Sequence, residues 1–581
     1  MMECFFTWPN FTRCFYKIPK DDDVFRYPMR VTITSAYSTG AMVMASDDPE
    51  HVTKPTTIVV NHRHEPQSLP SEINLLTLNC WGLRYISTQR VARLDEIGHR
   101  IAHAVPTPHI VSLQECFTQE DYEAIRHHTR QILPYGKFYY SGAFGGGLAI
   151  LSCWPIEEST MFKYPLNGRP TAFWRGDWYV GKGVACAKIR FGPRRKDIVE
   201  VFNTHTHSPY EPDPVSTYDC HRVAQSWEMS KLLRGAAERG HLVVGMGDFN
   251  MLPLSLFHRV ITAHAPVRDV WRILHPDSSL GPAYHPSEEE RHRPLPTADF
   301  NLLENGATSN SVYNTWRWNK NQQNRLKGGD VCEVPPDTID SRGQRLDYIF
   351  TSTGVDPDAP ATTSGWVVKS AHVAMTERHP DLLCSLSDHF AVQATLTRHT
   401  PSPAVNPPDP RSETPSAALQ TGAYLAASSP ASSIHSGDVA QTANPDTQLK
   451  RGRSRSSDFG PSTYDEIIGM IQKYHAREVR QRHWRGVHFF LALFVWLACL
   501  VAVWFSPENY VAFILMLVSS LSLVAGVIDG LLSLLFFSWE IKGLKEFEWE
   551  IRNAKAVASG DRIALTASET YESSGQRSKS T

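Results

Sequence analysis

Short apolar runs that each stop on a polar side chain set the rhythm of the chain between Ile73 and Leu396. INLLTLN, HIVSLQE, IVEVFNTHTH, LVVGMGDFN, RLDYIFTS and HFAVQATL have the length and the content of branched apolar residues that buried strands require. Side chains alternate along a strand, so the acid Asp248 and the amide Asn250 leave the end of Val-Val-Gly-Met-Gly-Asp-Phe-Asn on the same side. Between the strands, apolar residues recur with the period of a helix over Val91–His103, Gln119–Leu133 and Asp219–Glu238, and Thr118 with Asp121 supplies a start signal for the second of these. Strands interspersed with helices predict a layered α/β domain over residues 71–400.

On either side of that domain the pattern changes. Residues 1–70 show no sustained periodicity and no signal-peptide architecture, and read as a poorly ordered extension. Residues 401–461, rich in Pro, Ser and Ala, hold too few large apolar side chains to build a core and read as a disordered linker. Two long apolar runs follow, at 487–505 and 510–537, separated only by Ser-Pro-Glu-Asn, which predicts a transmembrane hairpin over 487–539. Lys473, Arg477, Arg480, Arg482 and Arg485 precede it in a basic juxtamembrane helix (462–486), and Lys542, Lys545, Arg552 and Lys555 follow it in the C-terminal tail (540–581). This bias puts both ends, and the large domain, on the cytosolic side. Thr463 and Glu466 have the spacing of a capping box, and Ile467, Ile468, Met470, Ile471 and Tyr474 give the juxtamembrane helix an apolar side that is expected to lie on the membrane. Asp529 admits two readings: a costly acid within the span, or the end of the span with Leu-Leu-Ser-Leu-Leu-Phe-Phe at the interface.

Composition narrows the class. With 41% hydrophobic and 20% charged residues the chain is globular, and at 581 residues it exceeds one ordinary domain. A formal charge of -2 gives no general attraction for a polyanion, so nucleic acid is not an expected partner. The ten cysteines form no CxxC pair, which argues against zinc and against a disulfide framework, and fits a reducing cytosol.

The polar strand ends, taken in order, are Asn79, Glu115, His205 with His207, Asp248 with Asn250, Asp347, and Asp388 with His389. This ordered set, each member in its strand context across Ile73–Thr397, resembles the endonuclease/exonuclease/phosphatase superfamily. The resemblance implies a DNase I-like, four-layer α/β/β/α sandwich, here followed by a linker and a two-helix transmembrane hairpin. It also implies metal-dependent phosphodiester hydrolysis. Glu115, Asn79 and Asp388 would serve the metal, and oxygen donors of this kind suit Mg²⁺. His389 would be the general base, Asp347 its orienting partner, Asp248 the holder of the attacking water, and His205 and Asn250 donors to phosphoryl oxygens. Whether one ion or two operates stays open.

Within the superfamily, the hairpin resembles that of neutral sphingomyelinases and especially of the fungal inositol phosphosphingolipid phospholipases C. That group has an acid and a base five positions apart in a segment called P-loop-like, matched here by Asp177 and Lys182. Gly-Asp-Trp-Tyr-Val-Gly-Lys-Gly lacks the GxxxxGK[ST] pattern, so no nucleotide site is expected, and by themselves these two charges read as a solvent-exposed ion pair. The resemblance implies a membrane-anchored phospholipase C that releases ceramide from inositol phosphosphingolipids, sphingomyelin or both, with anionic phospholipids as activators. An endoplasmic reticulum or mitochondrial membrane would hold it, and oligomeric state is open. A membrane-tethered phosphoinositide phosphatase and a catalytically silent scaffold are the alternatives.

Overall fold

The computed structural model describes residues 68–211, 216–355, 359–360, 363–401 and 459–560. The expected extension (1–70) and linker (401–461) lie almost wholly outside these residues, as does the tail beyond Gly560. Twelve strands build two six-stranded sheets. In the first, β1 (Glu72–Asn79), β2 (Ile110–Gln114), β3 (Tyr135–Tyr139), β4 (Leu148–Ser152), β11 (Gly365–Ala374) and β12 (Ala391–His399) stand in the order β11-β12-β1-β2-β4-β3. The second holds β5 (Ile156–Lys163), β6 (Gly183–Arg190), β7 (Ile198–His205), β8 (Leu242–Asp248), β9 (Arg268–Asp269) and β10 (Asp347–Thr351) in the order β5-β6-β7-β8-β10-β9.

Alternation along the strands makes the layers. Ile73 and Leu75 of β1 face Val199 and Val201 of β7 and Val244 and Met246 of β8 between the sheets. Leu76 and Leu78 point the other way and pack under α1 (Arg90–Ala102) and α2 (Gln119–Thr129), through Leu94, Ile97 and Ile125. On the far side, Phe202, Val243 and Phe350 meet Met229 and Leu233 of α4 (Asp219–Glu238) and Ile261 of α5 (Leu256–His264). The result is the expected α/β/β/α sandwich, and the Thr118 hydroxyl caps α2 by accepting from the Asp121 amide. Inside it, Asn203 donates to the carbonyls of Leu113 and Ala149 and accepts from Gln114, joining one sheet to the other.

The C-terminal segment departs from expectation. One continuous stem helix, Pro461–Trp504, runs through the basic stretch into the first apolar run; a second helix, Asn509–Leu531, passes through a π-helical turn (Leu532–Phe537) into a return helix, Ser538–Ala558. The apolar side of the stem does not lie free for a membrane. Tyr464, Ile467, Ile468, Ile471 and Tyr474 pack with Leu544, Phe547 and Ile551 of the return helix against Val223, Ala224 and Trp227 of α4. The return helix adds a hydrogen bond and an ion pair, Glu550 accepting from the Trp227 indole and from Lys231. A face of isoleucines is satisfied as well by protein as by lipid, and here protein supplies the partner. The stem starts with Pro461 after Gly460 and has no side-chain cap, so Thr463 and Glu466 form no capping box. The two apolar runs themselves are long enough to cross a membrane and are only 11% buried, unlike core helices.

Just before Asp347, a charged lock fixes the entry to β10. Arg345 Nη1 donates to Asp269 (3.0 Å), its Nη2 lies 2.9 Å from the other carboxylate oxygen, and His258 Nε2 lies 3.2 Å from the same carboxylate. Burial works against the charge, but Arg345 and His258 hold the Asp269 carboxyl well below its usual range. A depressed acid stabilises the fold above its unfolded value, near pH 4, and loses that contribution as pH falls. Arg345→Met should cost about 3–5 kcal/mol by stranding Asp269 in the interior, read as a lower Tm in detergent at pH 7. A Tm within a degree of wild type would refute the lock.

Candidate active site

Strand direction gathers the polar ends. β1 and β2 run parallel with Asn79 beside Gln114, and β7 and β8 run parallel with His205 beside Asp248. β10 runs antiparallel to β8 with Asp347 opposite Asp248, and β12, antiparallel to β1, starts just after His389. The C-terminal ends of four strands and the entries of two therefore meet at one edge of the sandwich. Gly247 makes the close approach possible: a Cβ there would stand 1.9 Å from the Thr204 carbonyl, at φ +144°. Glu115 and Asn250 both adopt left-handed backbone (φ 53° and 45°), the local strain that aims a side chain out of a strand end.

These ends form the floor of a cavity of about 1970 Å³, lined by Glu115, Asp177, Lys182, His205, Asp248, Asn250, Asp388 and His389. His389 Nδ1 lies 2.8 Å from Asp347 Oδ2. Although burial opposes the charged ring, Asp347 and Asp248 hold the His389 imidazole well above its usual range. Asp248 is pushed up to about 6, chiefly by burial. It accepts from the Asn250 backbone amide (2.9 Å) and lies 3.6 Å from His205 Nε2. Burial and the nearby positive charge of Lys182 keep His205 neutral, and its Nδ1 has no hydrogen-bond partner among the described residues. Glu115 is pushed up to about 7 by burial and by the neighbouring Asp388 carboxylate.

Asn79 reaches the carboxylates through its side-chain nitrogen. Its side-chain nitrogen donates to Glu115 (3.1 Å) and to Asp248 (3.0 Å), while its oxygen accepts from the Trp81 amide (3.0 Å). In this arrangement it braces two carboxylates and does not turn its oxygen toward them. Asp248, Asp347 and His389 also bring ligand-type atoms within 4.8 Å of one another. The close His389–Asp347 contact in that group is a hydrogen bond.

Asp177 and Lys182 are not exposed. The pair is 3.2 Å apart with both side chains about 5% accessible, at the turn where α3 (Asp177–Val180) leads into β6. Tyr210 donates to Asp177, and His207 Nε2 lies 3.5 Å from it; burial pushes His207 down to about 3. Lys182 donates to the Thr206 carbonyl (2.9 Å), which also accepts from the Asn250 side chain (3.2 Å). The pair thereby holds the amide that faces the cavity. Sequence reasoning missed Asn203, Tyr210 and the role of His207. Asn203 had a signal: it shares the inward face of β7 with Val199 and Val201, where an amide is costly unless bonded across the sheets.

A histidine bonded to a buried carboxylate, amide and imidazole groups, and crowded carboxylates at one cavity floor make an arrangement that can serve phosphoric diester hydrolysis. The chain belongs to the Endonuclease/Exonuclease/phosphatase family, which it matches over residues 76–389, a stretch that holds every one of these side chains. It is 35% identical over 488 residues to the Inositol phosphosphingolipids phospholipase C of Schizosaccharomyces pombe, covering 84% of this chain and 95% of that one. The protein of the same name from Saccharomyces cerevisiae is 30% identical, over 83% of this chain and 90% of its own length. Sphingomyelin phosphodiesterase 2 of Homo sapiens is 28% identical over 58% of this chain and 67% of its own.

If Asp177 and Lys182 act as one unit on Asn250, the losses in turnover from Asp177→Ala and Lys182→Ala will not add. The double variant should then be no slower than the worse single variant. Multiplying losses, measured as kcat in detergent micelles, would refute the shared role.

Proposed function

We propose that the chain is a membrane-anchored phospholipase C that cleaves sphingolipids between ceramide oxygen and phosphorus, with inositol phosphate head groups first and phosphocholine second. The observation that carries this reading is the likeness to the Schizosaccharomyces pombe Inositol phosphosphingolipids phospholipase C. Its 488 aligned residues exceed the 400 that precede the linker, so the likeness reaches beyond the sandwich into the segment that bears the stem helix. The catalytic domain faces the cytosol of an intracellular membrane, as the basic flanks of the hairpin support.

Glu115 and Asp388 fit a hard divalent ion such as Mg²⁺: both offer oxygen, and burial together with the neighbouring Asp388 carboxylate raises Glu115, a cost that a cation would relieve. Bound there, Mg²⁺ would neutralise phosphoryl oxygen and polarise phosphorus. His389 accepts the proton of the attacking water at Nε2, because Nδ1 is committed to Asp347. Asp347 stabilises the imidazolium that results. Asp248 orients the water, and Asn250, with one amide hydrogen left after bonding Thr206, donates with His205 to the phosphoryl oxygens. Lys473, Arg480 and Arg482 stay exposed and serve anionic phospholipid at about 1 kcal/mol each. Arg477 and Arg485 are paired with Glu478 and Asp529.

Purified protein incubated with Mg²⁺ and mixed lipids should yield ceramide by mass spectrometry. Free phosphate would favour a phosphoinositide phosphatase, and no turnover a silent scaffold. Glu115→Ala should raise the Mg²⁺ concentration needed for half-maximal rate and recover partly in excess Mg²⁺; an unchanged Mg²⁺ requirement would remove Glu115 from the metal. His389 must be neutral to accept a proton, so turnover rises as pH climbs through its elevated pKa. Asp347→Asn removes a charge that favours the imidazolium, so the acid limb of kcat/KM should move to lower pH while kcat falls about 10²-fold or more. An acid limb that stays in place would sink this assignment.

A further inference from the structure

Aromatic side chains at the mouth of the cavity stand largely exposed among the described residues. Phe173 and Trp174 line the cavity yet are 66% and 70% exposed, and Trp178 follows them on α3. Trp178 packs edge-on against Phe536 (ring centroids 6.0 Å apart), in the π-helical turn that ends the second apolar helix. The mouth of the cavity is therefore continuous with the hairpin.

The hairpin itself marks the height of this contact. Trp484 and Trp504, both exposed, lie twenty residues apart on the stem helix, about 30 Å, the thickness of a hydrocarbon core with an aromatic residue at each face. The two helices are held in register near the upper face. Asp529 pairs with Arg485 and with His488 (2.8 Å), and Ser533 donates to the Arg482 carbonyl (2.8 Å). Trp484 thus stands level with the residues between Asp529 and Ser533, and Phe536 lies about one turn beyond it, in the head-group layer. Leu534, Leu535 and Trp539 in the same stretch are exposed, on a surface where water would otherwise meet them.

We propose that Phe173, Trp174 and Trp178 join Leu534, Leu535 and Trp539 in one apolar collar seated in the head-group layer of the bilayer that the hairpin crosses, so that the cavity opens onto the lipid surface. The occupant of the collar is bilayer lipid. The same arrangement assigns Asp529 to the membrane interface, and not to the middle of the span. This inference rests on the membrane-bound reading of the hairpin and deepens it by naming the part of the catalytic domain that enters the lipid.

The test uses the full chain in phosphatidylcholine nanodiscs, with p-benzoylphenylalanine placed in turn at positions 173 and 174. Irradiation should give covalent adducts with phospholipid at both positions, identified by mass spectrometry. Adducts confined to protein, including a second copy of the chain, or no adducts at all, would overturn the collar. This readout needs no turnover, so it separates failure of the collar from failure of the sphingolipid reading. In a second arm, Phe173→Ser with Trp174→Ser should lower the ratio of turnover in vesicles to turnover in detergent micelles at least tenfold. An unchanged ratio would equally overturn the proposal.

Discussion

The chemistry of this chain depends on the parallel pairing of β7 with β8 and the antiparallel return of β10. Because a strand offers its face with a period of two, a shift of one residue in either pairing would turn Asp248 away from the cavity or Asp347 away from His389. The register is pinned by Val201, Val244 and Ile349 in the inter-sheet core and by the absence of a side chain at Gly247. The packing that stabilises the sandwich and the aim of its reactive groups are thus one constraint.

That constraint concentrates like charges. Glu115, Asp248, Asp347 and Asp388 converge at one edge of the sandwich, and what relieves them is specific: Asn79 braces Glu115 and Asp248, His389 takes up Asp347, and in the proposed mechanism a bound cation suits Asp388 together with Glu115. Under the proposed function, such a low-dielectric floor is arranged for a phosphoryl group with its metal. The buried Asp177–Lys182 pair extends the arrangement by one step, through the Thr206 carbonyl to Asn250.

The polar strand ends were legible in the sequence because alternation is a local property, whereas the meeting of Asp248 and His389 at one edge came from the resemblance to the family. The burial of Asp177 and Lys182 was not, since it depends on Tyr210 and His207, which arrive from the loop after β7. Nor was the docking of the stem helix. Ile467, Ile471 and Tyr474 announce an apolar face, but lipid and protein reward such a face alike, and only the shape of α4 decides between them. The orientation of Asn79 was also beyond reach, because an amide offers either end and its neighbours make the choice.

Asn203 has a mechanical consequence. Its three hydrogen bonds tie β7 to β2 and β4 directly beneath the cavity, in a region where water is not at hand to replace them. Sliding one sheet over the other would break all three together, so shear between the sheets is closed as a route for opening the site. Movement that admits a substrate is then expected in the cavity's walls, in the segments after β5 and β7, and not in its floor.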